Sequence, residues 1–394
     1  MASAFTQSIK GDRIVWMVVI MLFLFSILAV FSSSSKLPKK ASMLSPLLIQ
    51  SALIALGFLI IYIFHNTPIS LYRKFAITGV IISIALLAYM LIFGTTINGA
   101  RRWVNFFVFT FQPADVAKVA LIIYLAKVLE EGQLDTFKKV FTKLVAPVGI
   151  ICALIIIVDT STSVLIGTCC LCVMFIGGVK TKYILNTIGI ALISLAFIYL
   201  IDIQFFGGKT RINTVISRVL VFSDKDRAKE NPDAIIQPNH AKAAVASGGI
   251  IGKGPGNSTQ RHVLEEAYSD YIYAIIVEEY GLIGGMTILM AYLWLLFRAV
   301  MIAKKCSRIF PIILVLGLSL MIVLQAVIHM GVSVGVLPVT GLNLPLVSHG
   351  GTSIVFTCLA LGIILAVSRT ADNQELSLEG LEQDEAVEPQ KLKA

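Results

Sequence analysis

Runs of about twenty apolar residues, separated by short polar stretches, recur along this chain and restrict its fold more than any other feature. Such a run matches a hydrocarbon core of roughly 30 Å, and inside it a helix satisfies its own backbone polar groups. Ten runs are legible, near 14–31, 44–64, 75–93, 107–129, 144–158, 163–179, 183–201, 271–297, 310–330 and 352–368, with only Asp159–Thr162 dividing the fifth from the sixth. With 57% of residues hydrophobic and only 14% charged, the chain carries more apolar surface than a soluble core needs. The expected fold is an all-α integral membrane protein of about ten transmembrane helices. The first run is long for a cleaved leader and Ser32–Ser35 offers no small-x-small cleavage site, so it is expected to remain as a helix.

Lys and Arg in the short loops set the orientation. With the N-terminus inside, one side gathers Arg13, Arg73, Lys74, Lys138, Lys139, Lys180, Lys304, Lys305 and Arg369, and the other chiefly Lys36, Lys39, Lys40, Arg101 and Arg102. Both termini are then cytoplasmic: residues 1–13 form a short leading segment, 14–369 the membrane domain, and 370–394 an acidic tail expected to be disordered. The large loop 202–270, between spans seven and eight, is extracytoplasmic. The net charge of +9 follows from this topology and from contact with anionic lipid, and does not indicate nucleic acid. None of the six cysteines falls in the large external loop, so no disulfide framework is expected, and Cys169, Cys170 and Cys172 read as small buried residues.

Polar residues of chemical interest cluster on the external side, in four segments far apart in sequence. Asp270 ends the longest polar stretch and stands where the chain re-enters the bilayer. A carboxylate there, partly desolvated, is a better proton acceptor, although an ordinary acid at a span boundary fits equally. Glu266 shares a helical face with it at i,i+4. Glu278 and Glu279, further along, read as paired structural acids. Asp115 and Lys118, at i,i+3 in an apolar run, are expected to pair, because an unpaired charge in that run costs several kcal/mol. Arg101, Arg102 and Trp103 suit a phosphate at the membrane surface or a lipid anchor. Lys242, Lys253 and Arg261 add positive charge on the same side. Asp159 suits an N-cap for the sixth span. The glycine-rich stretch Gly248–Gly256 lacks the Gly-Lys-Ser/Thr of a nucleotide loop and reads as a set of tight turns or a flexible connector. The loop Gly335–Thr352, rich in Gly and Pro, reads as re-entrant or tightly packed, with Ser348 inside it; His329 and His349 read as packing residues.

Three ordered motifs carry a resemblance. The first is Gly254-Pro255-Gly256-Asn257-Ser258-Thr259-Gln260-Arg261 with Glu266-Ala267-Tyr268-Ser269-Asp270-Tyr271 and Glu278-Glu279-Tyr280-Gly281; the second is Asn98-Gly99-Ala100-Arg101-Arg102-Trp103 with Gln112-Pro113-Ala114-Asp115; the third ends Ser348-His349-Gly350-Gly351-Thr352-Ser353. Together they resemble the SEDS proteins (shape, elongation, division and sporulation), and within them the FtsW-like cell-division branch. The resemblance implies a peptidoglycan glycosyltransferase that polymerises lipid II outside the cytoplasmic membrane, working with a class B penicillin-binding protein and other division proteins.

On this chain the resemblance puts the essential aspartate on Asp270, the acid–lysine pair on Asp115 and Lys118, the turn aspartate on Asp159 and the first glutamine of the long loop on Gln237. His240 stands at the place of a second glutamine, His349 at that of a tyrosine and His329 at that of an asparagine. The implied chemistry is inverting transfer: Asp270 takes the proton of the acceptor hydroxyl, and Arg102 and Lys118, or a divalent cation such as Mg or Mn, stabilise the departing undecaprenyl pyrophosphate. Two rival readings are a lipid II flippase, which intramembrane charges also suit, and a non-catalytic division scaffold. No internal repeat of the kind common in transporters is legible.

Overall fold

The computed structural model describes residues 11–33, 44–97, 100–106, 109–206, 211–223, 232–264 and 269–391. Helices occupy all ten expected positions: α1 Arg13–Ser33, α2 Leu44–Asn66, α3 Ile69–Phe93, α4 Pro113–Glu131, α5 Phe137–Ile156 (through a π turn), α6 Thr160–Ile176, α7 Thr181–Phe206, then, after the large loop, α10 Ile272–Lys305, α11 Ile309–Ser333 and α12 Gly351–Lys391. Two loop helices, α8 Arg211–Ser223 and α9 Pro232–Gly248, lie between α7 and α10. Seven of these helices are long and apolar enough to cross a membrane, α6 and α7 contain shorter apolar segments, and α4 carries too many charges for that criterion. Large apolar side chains such as Phe175, Ile193 and Phe197 face outward, as the surface of a multi-pass membrane protein requires.

Two ties set the thickness of the bundle. At one end Asp12 caps α1, accepting from the backbone N–H groups of Ile14 (2.9 Å) and Val15 (3.2 Å), and pairs with Arg298 of α10. At the other end the Ser32 hydroxyl donates to Glu279, again joining α1 to α10. The ties are twenty residues apart on α1 and nineteen on α10, which is about 30 Å of helix and the depth of a hydrocarbon core.

Two expectations are corrected. The fourth span does not begin at 107. Phe109–Phe111 is instead the last strand of a three-stranded antiparallel sheet, Thr95–Ile97, Ala100–Phe106 and Phe109–Phe111, and α4 starts at Pro113, whose fixed φ suits the first helical position. An aromatic, β-branched stretch scores as apolar but pairs as a strand. The all-helical fold thus carries one small external sheet. Second, α10 is not continuous: Gly281 has φ 68° and ψ −170°, which breaks the helix just beyond Glu278 and Glu279. The last helix, α12, continues to Lys391, in keeping with the Glu, Leu, Ala and Gln content of its end.

The break in α10 is filled by the glycine stretch. Lys253 and Gly254 donate their N–H groups to the carbonyls of Glu278 (3.0 Å) and Glu279 (2.9 Å), while Leu282 and Ile283 donate to Gly249 (2.9 Å) and Ile250 (3.3 Å). The stretch is therefore a docked element and not a connector.

Candidate active site

The last external loop, between α11 and α12, frames the site. Leu342, Leu344, Leu346, Val347 and Ser348 are buried. A buried loop needs partners for its carbonyls, and side chains from several helices supply them. Ser26 of α1 donates to Val347 (3.0 Å), Tyr292 of α10 to Pro345, and Gln325 of α11 to Asn343 (2.8 Å). His329 Nδ1 lies 2.6 Å from the Leu342 carbonyl, so that nitrogen carries the proton. The expected packing role of His329 holds. Of the two readings of the loop, re-entrant or tightly packed, the burial bears out the packed one.

Asp270 sits against this frame. It is half-buried, and a Cβ built on Gly341 would lie 3.6 Å from its Oδ2, so the loop backbone borders the carboxylate directly. Gly341 has φ +70°, a conformation that a side chain would strain. Ser348 fixes the other side: its hydroxyl donates to the carbonyl of Ser269 (2.8 Å) and accepts the N–H of Leu344 (2.8 Å). The residue preceding the carboxylate is thus bonded to the loop that borders it.

A second polar group reaches the same loop from inside the bundle. Lys118 Nζ lies 2.9 Å from Asp115 Oδ1 and 3.2 Å from Gln325 Oε1, and Gln325 continues to Asn343. The expected ion pair is present and buried. Lys118 thus joins Asp115 to the loop through Gln325. Asp159 caps α6 by accepting the N–H of Thr162 (3.1 Å), and its other oxygen pairs with Arg102 at 3.4 Å, while Arg102 also donates to the Val158 carbonyl (3.2 Å). That pair ties the small sheet to the turn between α5 and α6. Arg101 is exposed and Trp103 half-buried on the same strand.

Glu278 and Glu279 are structural, as expected. Glu278 is fully buried and accepts from Lys253 Nζ (2.6 Å), Thr259 Oγ1 (2.7 Å), Thr259 N (3.1 Å) and Ser258. Arg261 donates to the Ser32 carbonyl (3.1 Å), and His240 Nδ1 meets Gln260 (2.8 Å), so α9 and the glycine stretch are fastened to α1 and α10. Lys242 lies across Gly335, where an added Cβ would meet its Cε at 2.1 Å. Gln237 is half-buried on α9. Glu266 lies outside the described residues. His349 Nδ1 contacts Gln50 Oε1 at 2.7 Å, and burial lowers its pKa from 6.5. Among the described residues no three His, Cys, Asp or Glu side chains group as metal ligands.

Sequence reasoning did not single out Ser26, Gln50, Arg218, Tyr292 or Gln325. For Gln50 and Gln325 a signal existed, an amide within an apolar run.

The family model described as "Cell cycle protein" for FtsW, RodA and SpoVE matches residues 12–373. A probable peptidoglycan glycosyltransferase FtsW of Geobacter metallireducens is 30% identical over 372 residues, 91% of this chain and 95% of the relative. Stage V sporulation protein E of Bacillus subtilis is 32% identical over 326 residues, 80% of this chain and 84% of the relative. Among solved structures, one described as a peptidoglycan synthase complex coordinating polymerization and crosslinking aligns with a TM-score of 0.71 at 26% identity, covering 92% of this chain and 98% of the other. The rod shape determining protein RodA of Thermus thermophilus shares the fold, with a TM-score of 0.66 at 24% identity over 91% of this chain and 97% of its own.

Proposed function

This chain belongs to the FtsW, RodA and SpoVE family of SEDS proteins, and we propose that it polymerises lipid II into β-1,4 glycan strands at the outer face of the bacterial cytoplasmic membrane during cell division, with Asp270 as general base. The observation that carries the reading is a half-buried carboxylate bordered by the backbone at Gly341 and held through Ser348 to the buried external loop. A carboxylate fixed in this way is oriented to accept a proton, and partial burial favours that acceptance.

In the reaction, Asp270 takes the proton from the 4-hydroxyl of the acceptor's N-acetylglucosamine. The freed oxygen forms a bond to the anomeric carbon of the donor chain's N-acetylmuramic acid, and the bond to undecaprenyl pyrophosphate breaks with inversion. Negative charge grows on the pyrophosphate and calls for cationic stabilisation. Arg102 and Lys118 are the candidates for this role, with the neighbouring Arg101 on the same strand. A divalent cation, magnesium or manganese, would supply the same stabilisation when bound to the pyrophosphate oxygens.

The partner in this reading is a class B penicillin-binding protein, a transpeptidase that cross-links the strands, alongside other division proteins. A neighbouring structure of a complex that joins polymerisation to crosslinking supports it. Both termini are assigned to the cytoplasm and the protein to the division septum. The test is lipid II polymerisation by purified protein with its transpeptidase. The wild type is expected to give glycan ladders and Asp270→Asn none, with both folded alike. Leaflet exchange of fluorescent lipid II without ladders would replace polymerisation by transport, and full activity of Asp270→Asn would remove the base.

A further inference from the structure

The cations around the site divide by what they hold. Arg102 pairs with Asp159, Lys118 with Asp115, Lys253 with Glu278, and Arg261 bonds the Ser32 carbonyl. Arg218 differs, because its contact lands on the loop that borders Asp270. From α8, Arg218 Nη1 donates to the carbonyl of Val339 at 3.2 Å. Val339 is two residues before Gly341, whose backbone stands against the Asp270 carboxylate. We propose that Arg218 is a positioning residue for Asp270, clamping the external loop so that Gly341 and Ser348 hold the carboxylate in line with its substrate.

Three observations support this. The Gly335–Gly341 end of the loop begins in the left-handed conformation at Gly335 and returns to it at Gly341, and a segment hinged by two such residues needs a fastening between them. Gln325, His329, Tyr292 and Ser26 fasten only the Leu342–Val347 end; Val339 is fastened by Arg218. Finally, Arg218 and Asp270 act on one phenol. Burial and then the Asp270 carboxylate raise the pKa of Tyr271, which precedes the span, and Arg218 opposes them. An arginine suits this task better than a lysine, because its planar fork holds a carbonyl while leaving further donors for neighbouring groups.

The inference rests on Asp270 being the base, and its test separates the two ideas. Polymerisation rates are measured against lipid II concentration for Arg218→Gln and Arg218→Lys in the full-length protein with its transpeptidase. If Arg218 works by placing the carboxylate, Arg218→Gln lowers kcat by about tenfold or more with KM within about twofold, the scale expected of a catalytic group misplaced by a fraction of an ångström. Arg218→Lys, which keeps the charge and a donor, recovers a large part of the rate. Combined with Asp270→Glu, Arg218→Gln costs less than it does alone, because both changes disturb one placement. An unchanged kcat, a rise in KM alone, or full additivity with Asp270→Glu would overturn the proposal, the second by making Arg218 a substrate contact. Should Arg218→Gln fail to fold, Arg218→Met, which keeps much of the side chain's length but has no donor, decides by the same split of kcat and KM. Full activity of Asp270→Asn would instead strike the general base itself.

Discussion

Replacing Gly252 by alanine tests whether the glycine stretch is docked into the break of α10. Gly252 has φ +91°, and an added Cβ would stand 2.2 Å from the Glu279 carbonyl oxygen and 2.5 Å from the Gly281 nitrogen. Both neighbours are backbone, so neither can swing aside. The left-handed conformation costs an alanine about 1–2 kcal/mol, and forcing the two strands of backbone apart adds about 1–3 kcal/mol. A shift near 1 Å would also weaken the bonds from Lys253 and Gly254 to Glu278 and Glu279, at about 1 kcal/mol each. The sum is roughly 4–7 kcal/mol, or about 5–8 °C in unfolding midpoint for a chain of this size. Gly256 supplies the control: its φ is +76°, yet nothing lies within 4 Å of an added Cβ, so Gly256→Ala bears only the conformational cost. Thermal unfolding in detergent, read by tryptophan fluorescence, compares the two. Equal midpoints for Gly252→Ala and Gly256→Ala would refute the docking argument.

Ser348→Ala leaves the Leu344 N–H and the Ser269 carbonyl without their buried partner, a loss of about 1–3 kcal/mol; the expected signature is a lower kcat at nearly constant KM in the polymerisation assay, and unchanged kinetics would remove Ser348 from the support of Asp270. His349 makes stability depend on pH. Its folded pKa is depressed by burial, so its contribution is whole above the unfolded value of 6.5 and is lost as pH falls through the lower folded value. His349→Gln should flatten the fall in unfolding midpoint between about pH 7 and 5, and an identical slope in wild type and variant would contradict that assignment.

The membrane architecture was legible because it is a matter of length: an apolar run of about twenty residues has few alternatives to a spanning helix. Asp270, Asp115 with Lys118, and Asp159 were legible for the opposite reason, since each interrupts or bounds such a run where a charge is costly. Three features escaped. The strand at Phe109–Phe111 escaped because hydropathy counts aromatic residues without asking which backbone pairs them. The break at Gly281 escaped because the residues on either side continue a helical apolar pattern, and the groups that replace the missing helix bonds come from Gly248–Gly254, some thirty residues away. Arg218 escaped because a surface helix with a basic residue has many explanations until its donor is seen on Val339.

These gaps share a physical origin. A helix within the bilayer closes its own hydrogen bonds, so its sequence alone nearly specifies it. The last external loop cannot do so, and its carbonyls at Val339, Leu342, Asn343, Pro345 and Val347 each draw a donor from a different residue on α8, α11, α10 or α1. Such a loop has no local signature beyond its glycines and prolines, because what fixes it is distributed over side chains that look unremarkable one at a time. The consequence for the site is mechanical: Asp270 is bordered by a segment whose shape depends on several helices at once. A movement of α1, α10 or α11, such as a partner helix pressing on the bundle would cause, has a hydrogen-bonded route to the carboxylate. Substituting Tyr292 by Phe removes one strut of that route without touching Asp270, and a variant with normal basal polymerisation but weaker stimulation by the transpeptidase would show that the route carries the signal; equal stimulation would show that it does not.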